Sequence, residues 1–126
     1  MEKTEFERLV AEAVKALPEE FLARLENVDI VVEDAPTREH LEGNRLPRGQ
    51  TLLGLYEGVP LTIRGAHYGL VPPDKITIFQ KPIEGKSRNP SRVIAEIGSV
   101  VRHEIAHHFG LSDARLEALE KKRRSG

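Results

Sequence analysis

The strongest constraint on the fold is one long helix in the last third of the sequence. Between Asn89 and Gly110, NPSRVIAEIGSVVRHEIAHHFG carries apolar residues at helical spacing. Asn89 is a favourable N-cap, Pro90 suits the first helical position, and Gly110 suits a left-handed stop. The apolar residues form one stripe, which predicts a core face made of Ile94, Ile97, Val101 and Ile105. The rest of the chain must supply a surface that covers this stripe.

Two helices are predicted on the amino-terminal side. Residues 3–16 have apolar side chains at helical spacing, and Thr4 with Glu7 fits a capping box. Pro18 ends this helix and begins a second one over residues 18–27, with acidic residues in its first turn. The start of the chain, MEKTEFERLVAEAV, is charged and amphipathic.

The middle of the chain predicts strands. Residues 28–33 are β-branched, residues 51–65 fit two strands around a turn, and residues 75–80 fit a third strand. Gly54, inside the first strand of the predicted hairpin, indicates a bulge or a close backbone approach. Residues 34–50 are rich in polar and turn-forming residues and are predicted to be a long loop.

The order of these elements predicts an α+β domain rather than alternating βαβ units. A last short helix is predicted over residues 112–124. The 126 residues fit a single domain, 1–126, and the hydrophobic fraction of 39% with 31% charged residues is typical of a globular chain.

Composition excludes several kinds of chemistry. The sequence has no cysteine, so any metal must be held by histidine and carboxylate groups. The formal net charge of −1 gives no general attraction to nucleic acid or to an anionic membrane. No apolar run reaches membrane-spanning length, and the charged, amphipathic start lacks the pattern of a signal peptide, so a cytoplasmic location is expected.

The long helix carries a compact set of metal-binding residue types near its end. His103 and His107 lie one turn apart and opposite the apolar stripe, so their imidazoles can converge on one ion. Glu104 is offset around the axis, within reach of a water molecule on that ion. Gly110 allows the chain to double back, and Asp113 can then supply a third ligand. The full pattern is H-E-x-x-H-x-x-G-x-x-D.

Plainer interpretations exist for each of these residues. The histidines can be surface cations at a helix carboxyl end, where positive charge is favourable. Asp113 can cap the helix that follows, a role compatible with metal binding. His108 lies at the edge of the apolar stripe and is predicted to pack rather than to bind metal, and Glu96 is predicted to be solvated or ion-paired.

HEIAHHFGLSD resembles the zincin metallopeptidases whose extended motif ends in aspartate. With LLGLYEGVPL and PDKITIFQKPIE, it is similar to a family of small bacterial and archaeal zincin-like proteins. The resemblance implies a minimal zincin-like fold with amino-terminal backing helices, a small twisted mixed sheet, an active-site helix and a short last helix. It implies that His103, His107 and Asp113 bind one Zn²⁺ ion and that Glu104 is the catalytic carboxylate. An extended substrate would pair with an edge strand, for which the candidate is Lys75–Gln80.

The sequence departs from the larger zincins in two ways. Metzincins have histidine where this chain has Asp113 and a methionine turn after the site, whereas the only methionine here is Met1. No tyrosine follows the motif to steady an oxyanion, since Tyr56 and Tyr68 precede it. These departures imply a substrate cleft that is shallow, open or completed by another chain.

The function expected from these features is a zinc metallopeptidase that cleaves peptides or extended polypeptides, with no nucleic-acid or membrane partner. One alternative is another metal-dependent hydrolase of the endoribonuclease type. Those enzymes use three histidines and lack the glutamate, so Glu104 and Asp113 disfavour it. A second alternative is an inactive zincin that serves as a binding module.

Overall fold

The computed structural model describes residues 1–44, 51–58 and 72–110. The predicted last helix with Asp113, and the second strand of the predicted hairpin, lie outside these ranges. The described elements are helices α1 (Lys3–Lys15), α2 (Glu19–Arg24), α3 (Arg38–Gly43), α4 (Gln80–Glu84) and α5 (Pro90–Phe109), and strands β1 (Val28–Glu33), β2 (Gly54–Glu57) and β3 (Asp74–Phe79). Within these ranges, no helix is both long enough and apolar enough to cross a bilayer.

The three described strands form a mixed sheet in the order β1-β3-β2. β1 runs parallel to β3, from the pair Val28 and Asp74 to the pair Glu33 and Phe79, and β2 runs antiparallel to β3. The helices and this sheet confirm the predicted α+β class and are consistent with a minimal zincin-like fold.

The prediction that Lys75–Gln80 forms an edge strand is wrong. β3 pairs on both sides, and its residues 76–79 are buried whichever face they point to. A strand buried on both faces belongs in the middle of a sheet. Pro82 does not prevent this pairing, because the chain leaves the strand at Gln80 and Pro82 lies in α4.

The core lies between the helices and one face of the sheet, and α5 packs against α1, β2 and β3. Three of the four residues of the predicted stripe, Ile97, Val101 and Ile105, are fully buried. Ile94 is only partly buried. The core is one cluster, made of Phe6, Leu9, Val10, Ala13, Leu17, Phe21, Val32, Ile76, Ile78, Ile83, Val93, Ile97, Val100, Val101, Ile105 and Ala106.

The capping of α1 differs from the prediction. The helix begins at Lys3, with Glu2 at the N-cap and no side-chain capping bond, so Thr4 lies inside the first turn. The first turn closes between the Phe6 N–H and the Glu2 carbonyl, at 3.0 Å. The burial of Phe6 against the core therefore decides where the helix begins, ahead of the local capping signal.

The prediction that residues 34–50 form one long loop is wrong, because α3 forms at Arg38–Gly43. Thr37 caps it through a capping box in which its hydroxyl accepts from the His40 N–H and the His40 ring accepts from the Thr37 N–H, both at 3.1 Å. A histidine in the place usually taken by glutamate hides this signal in the sequence. The His40 ring also lies 5.3 Å from the Phe79 ring.

Gly54 brings β2 into close contact with α5, which confirms the second of the two sequence predictions for this glycine, a close backbone approach rather than a bulge. A Cβ atom at this position would lie 2.4 Å from Val100 Cγ1 and 3.2 Å from the Thr77 carbonyl oxygen. Only a residue without a side chain allows the strand and the helix to approach this closely. The contact places β2 directly beside the part of α5 that carries the sequence motif.

Candidate metal centre

α5 presents the motif residues on the side opposite its core stripe. Both of its ends are as predicted: Asn89 Oδ1 accepts from the Ser91 and Arg92 N–H groups at 3.0 and 3.3 Å, and Gly110 ends the helix at φ 67°. His103 and His107 are exposed. The helix therefore holds two imidazoles one turn apart on its accessible side.

The ring of His103 is oriented by its own helix. Its Nδ1 atom lies 2.8 Å from the Ser99 carbonyl oxygen, one turn earlier. A carbonyl can only accept, so Nδ1 is the donor in this contact and Nε2 is the ring nitrogen left for another partner. Metal-binding histidines usually donate their other ring N–H to a carbonyl or carboxylate in this way. The orientation of His103 thus fits a metal ligand.

Glu104 contacts a neighbouring strand. Its Oε1 atom accepts a hydrogen bond of 2.9 Å from the backbone N–H of Tyr56 on β2. The Phe79 N–H donates to the Leu53 carbonyl at 3.0 Å. In an antiparallel pair, alternate residues bond the neighbouring strand, so Leu53 and Leu55 bond β3. Tyr56 therefore directs its backbone groups away from β3. Glu104 therefore lies against the side of β2 that faces away from β3.

Tyr56 is held by contacts on two other elements. Its hydroxyl donates to Asp74 Oδ2 on β3 at 2.6 Å, and Asp74 is only 9% exposed. Its ring stacks on the His108 imidazole, with centroids 3.9 Å apart and planes inclined by 17°. The residue that bonds Glu104 is thus itself fixed between the central strand and the motif helix.

A cavity of about 460 Å³ lies next to this arrangement. Its described lining combines a motif carboxylate and imidazoles with apolar side chains from β2 and the segment before it: Asn44, Leu52, Leu55, Tyr56, Glu104, His107 and His108. A space of this size is large enough for a small ligand, and most of its described lining residues, Asn44, Tyr56, Glu104, His107 and His108, carry polar or ionisable groups.

The plainer interpretations of two other residues are confirmed. His108 packs against Tyr56, and its Nε2 lies 3.9 Å from Asp74 Oδ2. Glu96 pairs with Lys86 at 3.1 Å. Neither residue turns toward the two exposed histidines as a further ligand in the part of the chain that the structure describes.

The donor set fits zinc as far as the described residues reach. Two neutral imidazoles one turn apart are ligands that zinc prefers. Within residues 1–44, 51–58 and 72–110, no three histidine, aspartate or glutamate side chains are grouped to hold a metal ion. The predicted third ligand, Asp113, lies outside these ranges, so the described part of the site consists of the histidine pair and Glu104.

Comparison with known proteins assigns the family. A family model described as zincin-like metallopeptidase matches residues 25–123, well over half of the chain. The chain belongs to the zincin-like metallopeptidase family. The match extends from just before β1 to beyond Asp113 and therefore includes the whole of the predicted motif. No curated protein matches the chain significantly.

Membership of this family indicates a hydrolase of the metallopeptidase class and confirms the family resemblance seen in the sequence. Zincins generally bind zinc, in keeping with the histidine pair on α5. The individual roles of His103, His107, Glu104 and Asp113 remain predictions.

Sequence reasoning missed Tyr56 and Asp74 as part of this site. In the sequence, Tyr56 is only a tyrosine that precedes the motif, and Asp74 lies just before the strand predicted at residues 75–80. Tyr56 lies 48 positions before Glu104. No spacing rule connects residues so far apart. The one available signal was Gly54, which indicated a bulge or a close backbone approach in β2 without naming the element that comes close.

Proposed function

We propose that the chain is a zinc-dependent peptidase in which His103, His107 and Asp113 hold one zinc ion and Glu104 is the general base. The observation that carries the proposal is the arrangement on α5. Two exposed imidazoles, one with its Nδ1 atom bonded to its own helix, flank a carboxylate that lies against the side of β2 facing away from β3. The family match over residues 25–123 supports the same class of reaction.

The chemistry that zinc supplies when bound is polarisation of a carbonyl group and acidification of a water molecule. Glu104 would take a proton from that water and later pass it to the leaving amine. Because Oε1 already accepts from the Tyr56 N–H, Oε2 is the oxygen we assign to the proton. The bond to Tyr56 holds the carboxylate in one orientation, which favours this transfer.

The substrate we propose is an extended peptide lying along β2. Gly54 directs its backbone N–H and carbonyl away from β3, which is the arrangement that allows a further strand to pair, and on the same side the Tyr56 N–H is bonded to Glu104. The cavity lined by Leu52, Leu55 and Glu104 lies on the same side and can accept a substrate side chain. β2 replaces Lys75–Gln80 as the candidate strand for substrate pairing.

The decisive experiment compares wild type with Glu104→Gln. Zinc content is measured first, and cleavage of a mixture of quenched fluorogenic peptides second. We expect one zinc ion per chain in both proteins, because Glu104 is not a ligand. We expect cleavage by the wild type only, with a loss of at least about 100-fold in the variant, the usual contribution of a general base. Glu96→Gln, on the same helix but paired with Lys86, is the matched control and should cleave normally.

Other outcomes would separate the alternatives. Cleavage of RNA without cleavage of peptides would favour the endoribonuclease-type hydrolase. Zinc bound at full occupancy with neither substrate cleaved would favour the inactive zincin that binds a partner. Wild type and Glu104→Gln cleaving peptides equally well would overturn the role of Glu104.

A further inference from the structure

The hydrogen bond between Glu104 and Tyr56 joins the motif helix to the sheet, and it raises the question of what keeps the Tyr56 N–H in place. β2 is short, only Gly54–Glu57, and it pairs within the described sheet with β3 alone. A short strand has few backbone hydrogen bonds to its neighbour, so these bonds alone hold it weakly. Side-chain contacts of Tyr56 therefore help to determine where this N–H lies.

Asp74 provides the strongest of these contacts. Tyr56 lies opposite Ile76 in the sheet register, so Asp74, two residues earlier on β3, is its diagonal neighbour on the same face. The hydroxyl of Tyr56 donates to Asp74 Oδ2 at 2.6 Å, a short bond to a largely buried group. Charge-assisted bonds of this length are about twice as strong as neutral ones.

The second contact comes from the motif helix itself. The Tyr56 ring stacks on His108 at 3.9 Å, and Gly58, the residue after β2, lies near both partners: a Cβ atom there would be 3.3 Å from His108 Cε1 and 3.7 Å from Asp74 Oδ1. Tyr56 is thus enclosed between the central strand and the helix that carries Glu104.

From these contacts we infer that Tyr56 and Asp74 are positioning residues for the general base: Asp74 holds the Tyr56 hydroxyl, and the Tyr56 N–H holds the Glu104 carboxylate. The inference rests on the proposed role of Glu104. It assigns no contact with substrate to Tyr56 or Asp74. A purely structural role would instead make their loss affect stability without changing the orientation of Glu104.

Amide hydrogen exchange at residue 56 tests the geometry directly. In wild type, the Glu104 carboxylate should protect this amide, and Glu104→Ala should remove the protection. We expect Tyr56→Phe and Asp74→Asn to speed exchange at residue 56 by roughly tenfold or more, the scale of one hydrogen bond to a charged group. Val32→Ala, which weakens the sheet from β1 and does not contact β2, is the control and should leave exchange at residue 56 within about twofold.

Kinetics of peptide cleavage supply the second readout. Tyr56→Phe and Asp74→Asn should lower kcat by roughly tenfold or more while KM and zinc affinity stay within about twofold, since misplacing a catalytic group affects the reaction step and not binding. Zinc affinity is measured by competition with a chromophoric chelator. Val32→Ala should keep the wild-type kcat at a temperature where it remains folded.

The inference is overturned if both variants keep the wild-type exchange rate at residue 56, or if exchange accelerates while kcat is unchanged. It is also overturned if Val32→Ala produces the same changes, because the effect is then one of general stability. If the wild type cleaves no peptide, the proposed function fails. The exchange measurement, made on zinc-loaded protein without substrate, still decides whether Asp74 and Tyr56 hold Glu104.

Discussion

The orientation of His103 is set by geometry within one turn of helix. The acceptor for its Nδ1–H is the carbonyl of Ser99, four residues earlier on the same helix, at 2.8 Å. A side chain on a helix points back toward the amino-terminal turn, so this bond forms without help from any other element. The orientation of the His103 ring, with Nδ1 bonded to its own helix, is therefore a local property of α5.

Asp113 is the residue whose role most needs a direct measurement, because an acid at a helix start can cap as well as bind metal. Asparagine caps a helix about as well as aspartate but is a poor zinc ligand. We expect Asp113→Asn to fold normally and to lose zinc affinity. Supporting residues of metal sites usually cost 10- to 100-fold, so the loss of a ligand should exceed about 100-fold. Chelator competition measures this loss.

The matched control for that measurement is Asp29→Asn, an exposed aspartate on β1. It should bind zinc as the wild type does. Zinc affinity within about twofold of wild type in Asp113→Asn would show that the aspartate only caps, and a third ligand would then have to be sought elsewhere.

At the scale of elements, the site depends on how closely β2 approaches α5. The helix contributes His103, Glu104 and His107, and the strand contributes the N–H that orients Glu104. The hydrogen bond between the Glu104 carboxylate and the Tyr56 N–H forms only because the two elements pack against each other. Gly54, with no side chain, allows the contact with Val100 that holds the two elements at this distance.

Gly54→Ala should push β2 away from α5. The added methyl group would lie 2.4 Å from Val100 Cγ1, and overpacking of this kind usually costs about 1–3 kcal/mol. Urea denaturation measures the loss. The double variant Gly54→Ala/Val100→Ala removes the clash. Its loss in the free energy of unfolding should therefore be smaller than the sum of the losses of the two single variants, by about 0.5–3 kcal/mol.

Gly43→Ala is the matched control for the packing prediction, because a Cβ atom at Gly43 would meet nothing within 4 Å. Its free energy of unfolding should stay within about 0.5 kcal/mol of wild type. Equal stability of Gly54→Ala and Gly43→Ala would show that β2 can move without cost, and that the strand does not constrain Glu104.

At the scale of the whole molecule, Glu84 joins the start of the chain to α4. Its carboxylate lies 3.1 Å from the Met1 amino group and accepts from Gln80 Nε2 at 3.1 Å, and Gln80 also donates to the Met1 carbonyl at 2.8 Å. Burial, the largest influence, acts to raise the pKa of Glu84. The bonds from Gln80 and the amino group outweigh burial, so the pKa of Glu84 lies below its usual value.

This contact should make stability depend on pH. Because the pKa of Glu84 is lowered by folding, its contribution is complete above the usual glutamate pKa and is lost as the pH falls through the folded-state value. Glu84→Gln should therefore unfold more easily than wild type by about 1 kcal/mol at neutral pH, and the difference should vanish in acid. Urea denaturation from neutral to about pH 3 measures both limits.

Glu12→Gln, an exposed glutamate on α1, serves as the control for the pH series. It should differ from wild type by less than about 0.5 kcal/mol at every pH. A constant difference between Glu84→Gln and wild type across the series would mean that the charge of Glu84 contributes nothing and that only its shape matters.

The features that the sequence predicted correctly are those that neighbouring residues decide. The bounds of α5 follow from Asn89 and Gly110, and the exposure of His103 and His107 follows from the helical period. β1 follows from its β-branched residues, with the observed bounds Val28–Glu33. Caps, periodicity and branching act within a few residues, so they can be read without a partner.

Tertiary structure alone decided how these elements meet. β3 is central because β1 and β2 both pair with it, and the residues of β3 do not indicate which strands will pair with it. Glu104 accepts from the N–H of Tyr56, which lies 48 positions away in the sequence, and the Tyr56 hydroxyl donates to Asp74, 18 positions away. Such pairs form only when packing of the core brings distant segments together, since their contact energy depends on the whole fold and not on local spacing.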